Sequence, residues 1–159
     1  MSHRVMTYYF IGIGGVGMSA LARLCVLQGH KVFGYDRVHS TVTNELEKEG
    51  IAIIYDESLE VLPEEVLNKR TQIIYTAAIP PKHKQLDYFI TNGFTVKKRA
   101  LFMAELCAEK TTLAVAGTHG KTTTAAFLTH IFSETNQAFT SIMGGFFENN
   151  PSNLIRTGE

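Results

Sequence analysis

Short apolar runs alternate with segments whose apolar positions recur at helical spacing, and this alternation repeats along most of the chain. Residues 7–14, TYYFIGIG, are aromatic and β-branched and end in glycines. Over 17–28, Met18, Leu21, Ala22 and Cys25 fall at i, i+3, i+4 and i+7, the spacing of one helix face. A strand, a tight turn and a helix are predicted, with Gly29 at the helix C-terminal cap. The same reading gives a strand over 31–36 (KVFGYD), a helix over 41–49 closed by Gly50, and a strand over 51–55. An acidic helix over 59–69, a strand over 72–77, a helix over 84–92, a strand over 94–98 and a helix over 99–109 follow. Strands separated by helices of this length need crossover connections, so the sheet is expected to be parallel, with helices on both faces. The fold class is doubly wound α/β.

From Lys110 the pattern restarts, with a strand over 111–117 (TTLAVAG), a glycine loop, a helix over 121–134 and a strand over 138–143. One βαβ of roughly fifty residues is short of the ~100 to 150 of a typical domain. The tail GGFFENNPSNLIRTGE is turn-rich and offers no obvious sheet partner. The chain therefore reads as a first domain over 1–109 and the beginning of a second over 110–159, cut from a longer protein.

Composition narrows the function. Of 159 residues, 45% are hydrophobic and 19% charged, which supports a packed core rather than disorder. Fifteen basic and fifteen acidic residues cancel, so no overall field favours nucleic acid or an anionic membrane, and a phosphate ligand must be held by local geometry. Cys25 and Cys107 lie in helical stretches with no C-x-x-C, and both read as packing residues. No apolar run reaches the ~18 residues of a membrane span, and glycines break YYFIGIGGVG where a signal core is continuous. A cytoplasmic location is expected.

Gly12, Gly14 and Gly17 satisfy G-x-G-x-x-G between a strand and a helix, and Asp36 closes the next strand. In such a Rossmann-like unit the first glycine makes the turn, the second admits a pyrophosphate close to backbone, and the third lets helix and strand pack. Helix N-terminal amides then face the phosphates, and Asp36 is placed to accept from a ribose hydroxyl. This loop alone fits an NAD-dependent dehydrogenase as well.

The second loop, AVAGTHGKTTTAAF (114–127), lacks the first glycine of the usual G-x-x-x-x-G-K-[ST] pattern, with Val115 in its place. It still has what a phosphate loop needs. Gly117 and Gly120 free the turn, Lys121 supplies charge, Thr122 is placed as a magnesium ligand, and a helix begins beneath. A hydride-transfer enzyme has no use for this second loop.

Four blocks carry a family resemblance: FIGIGGVGMSALA (10–22) with GYD (34–36), IIYTAAIP (73–80), KRALFMAEL (98–106) and GTHGKTTT (117–124). In that order they resemble the Mur ligases, cytoplasmic amide-bond-forming enzymes of peptidoglycan synthesis, and within them the branch that adds L-alanine. A relative that recycles murein tripeptide shares both loops, but the GVGMSALA form at 15–22 points to the alanine branch. The resemblance implies a first domain that binds UDP-N-acetylmuramate and a P-loop ATPase domain starting near residue 111. ATP and L-alanine are the other substrates, and Mg2+ is the metal.

Residue by residue, the resemblance implies that Gly12, Gly14, Gly15 and Gly17 contact the UDP pyrophosphate through backbone amides. Asp36, Thr76 and Ala77 lie near the same ligand. Gly117, Thr118, His119, Gly120, Lys121, Thr122 and Thr123 form the ATP loop, with Lys121 catalytic and Thr122 on the metal. His119 is a second catalytic candidate, although shaping the turn or contacting phosphate is the simpler role. Gly144, Gly145 and Asn153 approach the sugar and the active centre. A magnesium-binding glutamate and a carboxy-terminal domain belong beyond Glu159, so residues 1–159 alone are expected to bind the UDP sugar without ligase activity.

Overall fold

The computed structural model describes residues 4–108, 110–135, 137–146 and 152–158. The first part runs β1 (Thr7–Ile11), α1 (Val16–Leu27), β2 (Lys31–Tyr35), α2 (Thr41–Lys48), β3 (Ala52–Ile54), β4 (Gln72–Tyr75), α3 (Lys84–Thr91), β5 (Thr95–Lys98) and α4 (Arg99–Cys107). Its five strands pair in parallel in the order β3-β2-β1-β4-β5. The chain winds outward from β1 to β3 and then returns to lay β4 on the other side of β1. That reversal opens a crevice at the carboxyl ends of β1 and β4, where ligands of open α/β sheets bind.

β1 is apolar on both sides because both sides are covered, as a central parallel strand requires. Phe10 packs with Met18, Leu21 and Cys25 of α1, Leu46 of α2 and Phe102 of α4. Tyr9 and Ile11 face the other layer, with Leu86 and Phe89 of α3 and the loop residues Leu62 and Val66. In that layer Tyr9 Oη donates to Gln85 Oε1 at 2.7 Å, and Gln85 Nε2 donates to the carbonyls of Asp56 and Ser58. Burial pushes the Cys25 thiol up to about 12, an inert packing thiol as expected. Cys107 is half-buried, and both cysteines are free.

Three sequence expectations give way. Residues 59–69 form turns, not a helix. The Val66 and Leu67 amides return to the Pro63 carbonyl, making a single turn. Asn68 Oδ1 then accepts from the Arg70 amide, and Thr71 Oγ1 donates to the Glu65 carbonyl, so side chains take the bonds that a helix would continue. Leu62 and Val66 are buried all the same. Second, residues 111–117 pair with no strand among the described residues, and Leu113 is 64% exposed. A strand is defined by its ladder, and apolar β-formers without a partner have none.

Third, the tail does find a sheet partner. After α5 (Lys121–Ser133), β6 (Phe139–Ile142) pairs antiparallel with β7 (Leu154–Thr157), Ile142 opposite Leu154. The expected parallel βαβ is replaced by α5 followed by this antiparallel pair. Leu154 packs on Ala20 and Leu24, so the pair leans on the outer face of α1. The expected domain boundary runs through Glu109, outside the described residues. Among the described residues no helix is long and apolar enough to cross a membrane.

Candidate functional site: two glycine turns at open helix ends

The first turn leaves β1 at Gly12, whose φ of +85° only glycine adopts without strain. A Cβ there would also lie 2.5 Å from Thr76 Cγ2, so Thr76 of the β4 exit closes over the turn. Thr76 and Ala77 follow β4 and Asp36 follows β2, the two strands that flank β1.

Three of the four glycine amides are spent inside the fold. Gly12 donates to the Tyr35 carbonyl at 2.7 Å, Gly14 to Asp36 Oδ2 at 2.8 Å and Gly15 to the Gly12 carbonyl at 3.2 Å. Asp36 is thus a brace for the turn, its Oδ1 also accepting from the Val38 amide. The first helical amides, Val16 and Gly17, have no acceptor among the described residues. α1 carries no side-chain cap, whereas Ser40 caps α2 with a full capping box and His83 caps α3. An uncapped helix start offers amides and the positive end of the dipole to an anion.

A cation stands beside it. Arg99, exposed at the start of α4, has Nη1 2.9 Å from where a Cβ on Gly17 would sit, so glycine at 17 makes room for the guanidinium. Arg99 starts the helix inside the block KRALFMAEL (98–106) quoted for the resemblance; its position over Gly17 came only from the fold.

The second turn has the same design. Gly120 is the N-cap of α5 in the left-handed region, no side chain caps this helix, and a Cβ on Gly120 would meet nothing within 4 Å. Thr118, His119, Thr122 and Thr123 are exposed around it. Lys121 Nζ curls back to donate to the Gly117 carbonyl at 2.6 Å and the Thr118 carbonyl at 3.0 Å. Gly145 lies against Thr122, where a Cβ would sit 3.1 Å from Thr122 Cγ2. Asn153 is fully buried against α1. Phe146 is 40% exposed. No group of three or more His, Cys, Asp or Glu that could hold a metal occurs among the described residues.

His83 is a buried neighbour of the first site. Its Nδ1 accepts from the Leu86 amide at 3.3 Å, so the ring proton sits on Nε2, which has no hydrogen-bond partner and faces Glu57 at 3.8 Å. Burial holds its pKa below the ordinary 6.5, with Glu57 and Asp87 opposing. The folded protein therefore keeps this imidazole neutral where the unfolded chain takes up a proton, and stability is lost as pH falls below that value. His83→Asn keeps the capping acceptor and removes the titration. Its unfolding free energy is expected to depend less on pH than wild type between about pH 7 and 5, measured by urea denaturation. An unchanged slope would exclude His83 as the source.

Residues 7–111 match the family model described as Mur ligase family, catalytic domain. The chain is 44% identical over 159 residues to the UDP-N-acetylmuramate–L-alanine ligase of Christiangramia forsetii, covering 99% of this chain and 35% of that protein. It is similar in structure to the UDP-N-acetylmuramate–alanine ligase MurC of Thermotoga maritima, with a TM-score of 0.84, 27% identity, and 94% and 34% of the two chains covered. It is also similar to the UDP-N-acetylmuramate:L-alanyl-gamma-D-glutamyl-meso-diaminopimelate ligase of Neisseria meningitides, with a TM-score of 0.83, 25% identity, and 95% and 46% covered. The chain spans about a third of the length of the curated relative it matches. With its parallel sheet, its glycine turn at the switch point and the family model covering most of its residues, the chain belongs to the Mur ligase family.

Proposed function

We propose that this chain supplies the UDP-sugar loop and the ATP loop of a ligase that joins L-alanine to the muramate carboxylate of UDP-N-acetylmuramate in peptidoglycan synthesis. Residues up to 109 are the UDP-sugar unit, and residues from 110 begin the ATP unit. One observation carries the reading: two uncapped helix starts, each fed by a glycine turn, in a chain 44% identical to an L-alanine ligase over 99% of its length.

The amides of Val16 and Gly17, with Arg99 beside them, hold the diphosphate, while Gly12, Gly14, Gly15 and Asp36 hold the turn in shape. Thr76 and Ala77 line the same edge. In the second loop Lys121 exchanges the carbonyls of Gly117 and Thr118 for the outer phosphates of ATP. His119, with Thr118 and Thr123, lines the exposed arc around those phosphates. The open amides of α5 and the Thr122 hydroxyl fit a magnesium nucleotide, because Mg2+ keeps phosphate and water ligands and asks little of the protein. Bound Mg2+ supplies charge neutralisation at the transferred phosphoryl group. The muramate carboxylate attacks the γ-phosphorus, ADP leaves, and the alanine amine displaces phosphate from the acyl phosphate to form the amide. Such chemistry needs position and countercharge more than a general base.

Calorimetry tests the first site and phosphate release the second. The protein is expected to bind UDP-N-acetylmuramate and not NADH, and the full-length ligase to release phosphate with L-alanine rather than with the murein tripeptide. NADH binding without a response to the UDP sugar would refute the ligase reading, and a tripeptide preference would move the chain to the recycling branch.

A further inference from the structure

Asn153 ties the two units together through groups that are all used. Fully buried just before β7, it donates from Nδ2 to the Val16 carbonyl and to the Met143 carbonyl, the latter at 3.5 Å. Its Oδ1 accepts from Arg23 Nη1 at 3.3 Å, and its main-chain carbonyl accepts from the Met143 amide at 3.0 Å. Arg23, 5% exposed, is in turn gripped by the Glu49 carboxylate at 2.8 to 3.0 Å, so the buried cation is paired. Only a primary amide supplies two donors and an acceptor in this shape. Aspartate is close in size but lacks the donors, and alanine lacks all three.

What lies at each end gives the cluster its meaning. Val16 opens α1 directly after Gly15, and its amide is one of the two left free for an anion. Met143 leads into Gly144 and Gly145, which lie against Thr122 of the ATP loop. A single buried side chain thus spans from the residue beside the diphosphate to the strand end that backs the magnesium-side threonine.

We propose that Asn153 is a positioning residue that locks the two nucleotide loops at one separation, so that carboxylate and γ-phosphate meet in line, while Asn153 touches neither substrate. The inference rests on the ligase reading above. A misplacement of about 1 Å costs on the order of 100-fold in rate, so loosening this lock appears in kcat and not in either binding step.

The test uses the full-length ligase. Asn153→Asp keeps the size and the Arg23 contact and removes both donors; Asn153→Ala removes everything. Both are expected to lower kcat by about 10- to 100-fold, with the Kd values for UDP-N-acetylmuramate and ATP within about threefold of wild type. Arg23→Lys, which loosens only the acceptor side, keeps the fold's charge and is expected to give a smaller fall in kcat with the same affinities. It carries the test if the Asn153 variants do not fold. A lowered Tm with unchanged kcat reduces the cluster to a structural one and overturns the proposal. Loss of UDP-sugar affinity in parallel with kcat also overturns it, because Asn153 would then act on substrate binding. Failure of the wild-type protein to bind UDP-N-acetylmuramate is a separate result that refutes the ligase reading.

Discussion

Lys121→Ala in the full-length ligase is expected to lower kcat by on the order of 10³-fold, while UDP-N-acetylmuramate binds within about threefold of wild type. The asymmetry follows from where the side chain is. Among the described residues Lys121 Nζ bonds only to its own loop, at the Gly117 and Thr118 carbonyls, and not to the α1 turn that is proposed to hold the UDP sugar. Removing it deletes the lysine charge of the second loop and also the clasp that shapes that loop. The transferred phosphoryl group then gathers charge without the lysine beside it, which raises the transition state and not the UDP-sugar complex. Initial rates of phosphate release and calorimetry on the same preparation check it. Near-normal kcat, or a loss of UDP-sugar affinity matching the loss of rate, would remove Lys121 from its role.

Gly34→Val is expected to damage the other site, by a different physical route. Gly34 lies in β2 opposite Phe10 of β1, and a Cβ there would stand 2.5, 2.8 and 2.9 Å from Cδ1, Cγ2 and Cβ of Ile13. Ile13 is fully buried in the first turn, and its amide and that of Gly12 both bond to the Tyr35 carbonyl next to Gly34. A branched side chain must therefore lift the turn off β2, at the ~1 to 3 kcal/mol typical of overpacking, and carry the Val16 and Gly17 amides with it. UDP-sugar affinity should fall by at least about tenfold, with a lower urea midpoint. Ile13→Ala in the same chain makes space, so the double variant should lose less than the sum of the two singles. Additive losses, or a Gly34→Val protein that binds like wild type, would show that the turn is not seated by this contact.

Much of the fold was legible because its signals are local. The helical spacing of Met18, Leu21, Ala22 and Cys25 produced α1, and the glycines at 29, 50 and 93 marked the ends of α1, α2 and α3. The misreadings have two causes: short-range side-chain and turn bonds displaced a helix, and a strand lacked its partner until the chain had folded. Pro63, Asn68 and Thr71 turned an acidic stretch with helical character into turns through backbone and side-chain bonds that composition does not display. LIRT at 154–157 is too short to announce itself as a strand until Ile142 and Phe139 lie opposite it.

The sequence by itself determined that there are two glycine turns, each between an apolar run and a helix, and that Lys121 and Thr122 follow the second. Spacing along a chain is enough for that, since residues within a few positions of one another share a turn whatever surrounds them. Which amides remain open, that Asp36 braces the turn, that Arg99 covers Gly17 and that Asn153 bridges Val16 to Met143 were decided only by tertiary structure. A hydrogen bond or a close contact between distant segments exists only after the chain has closed around it.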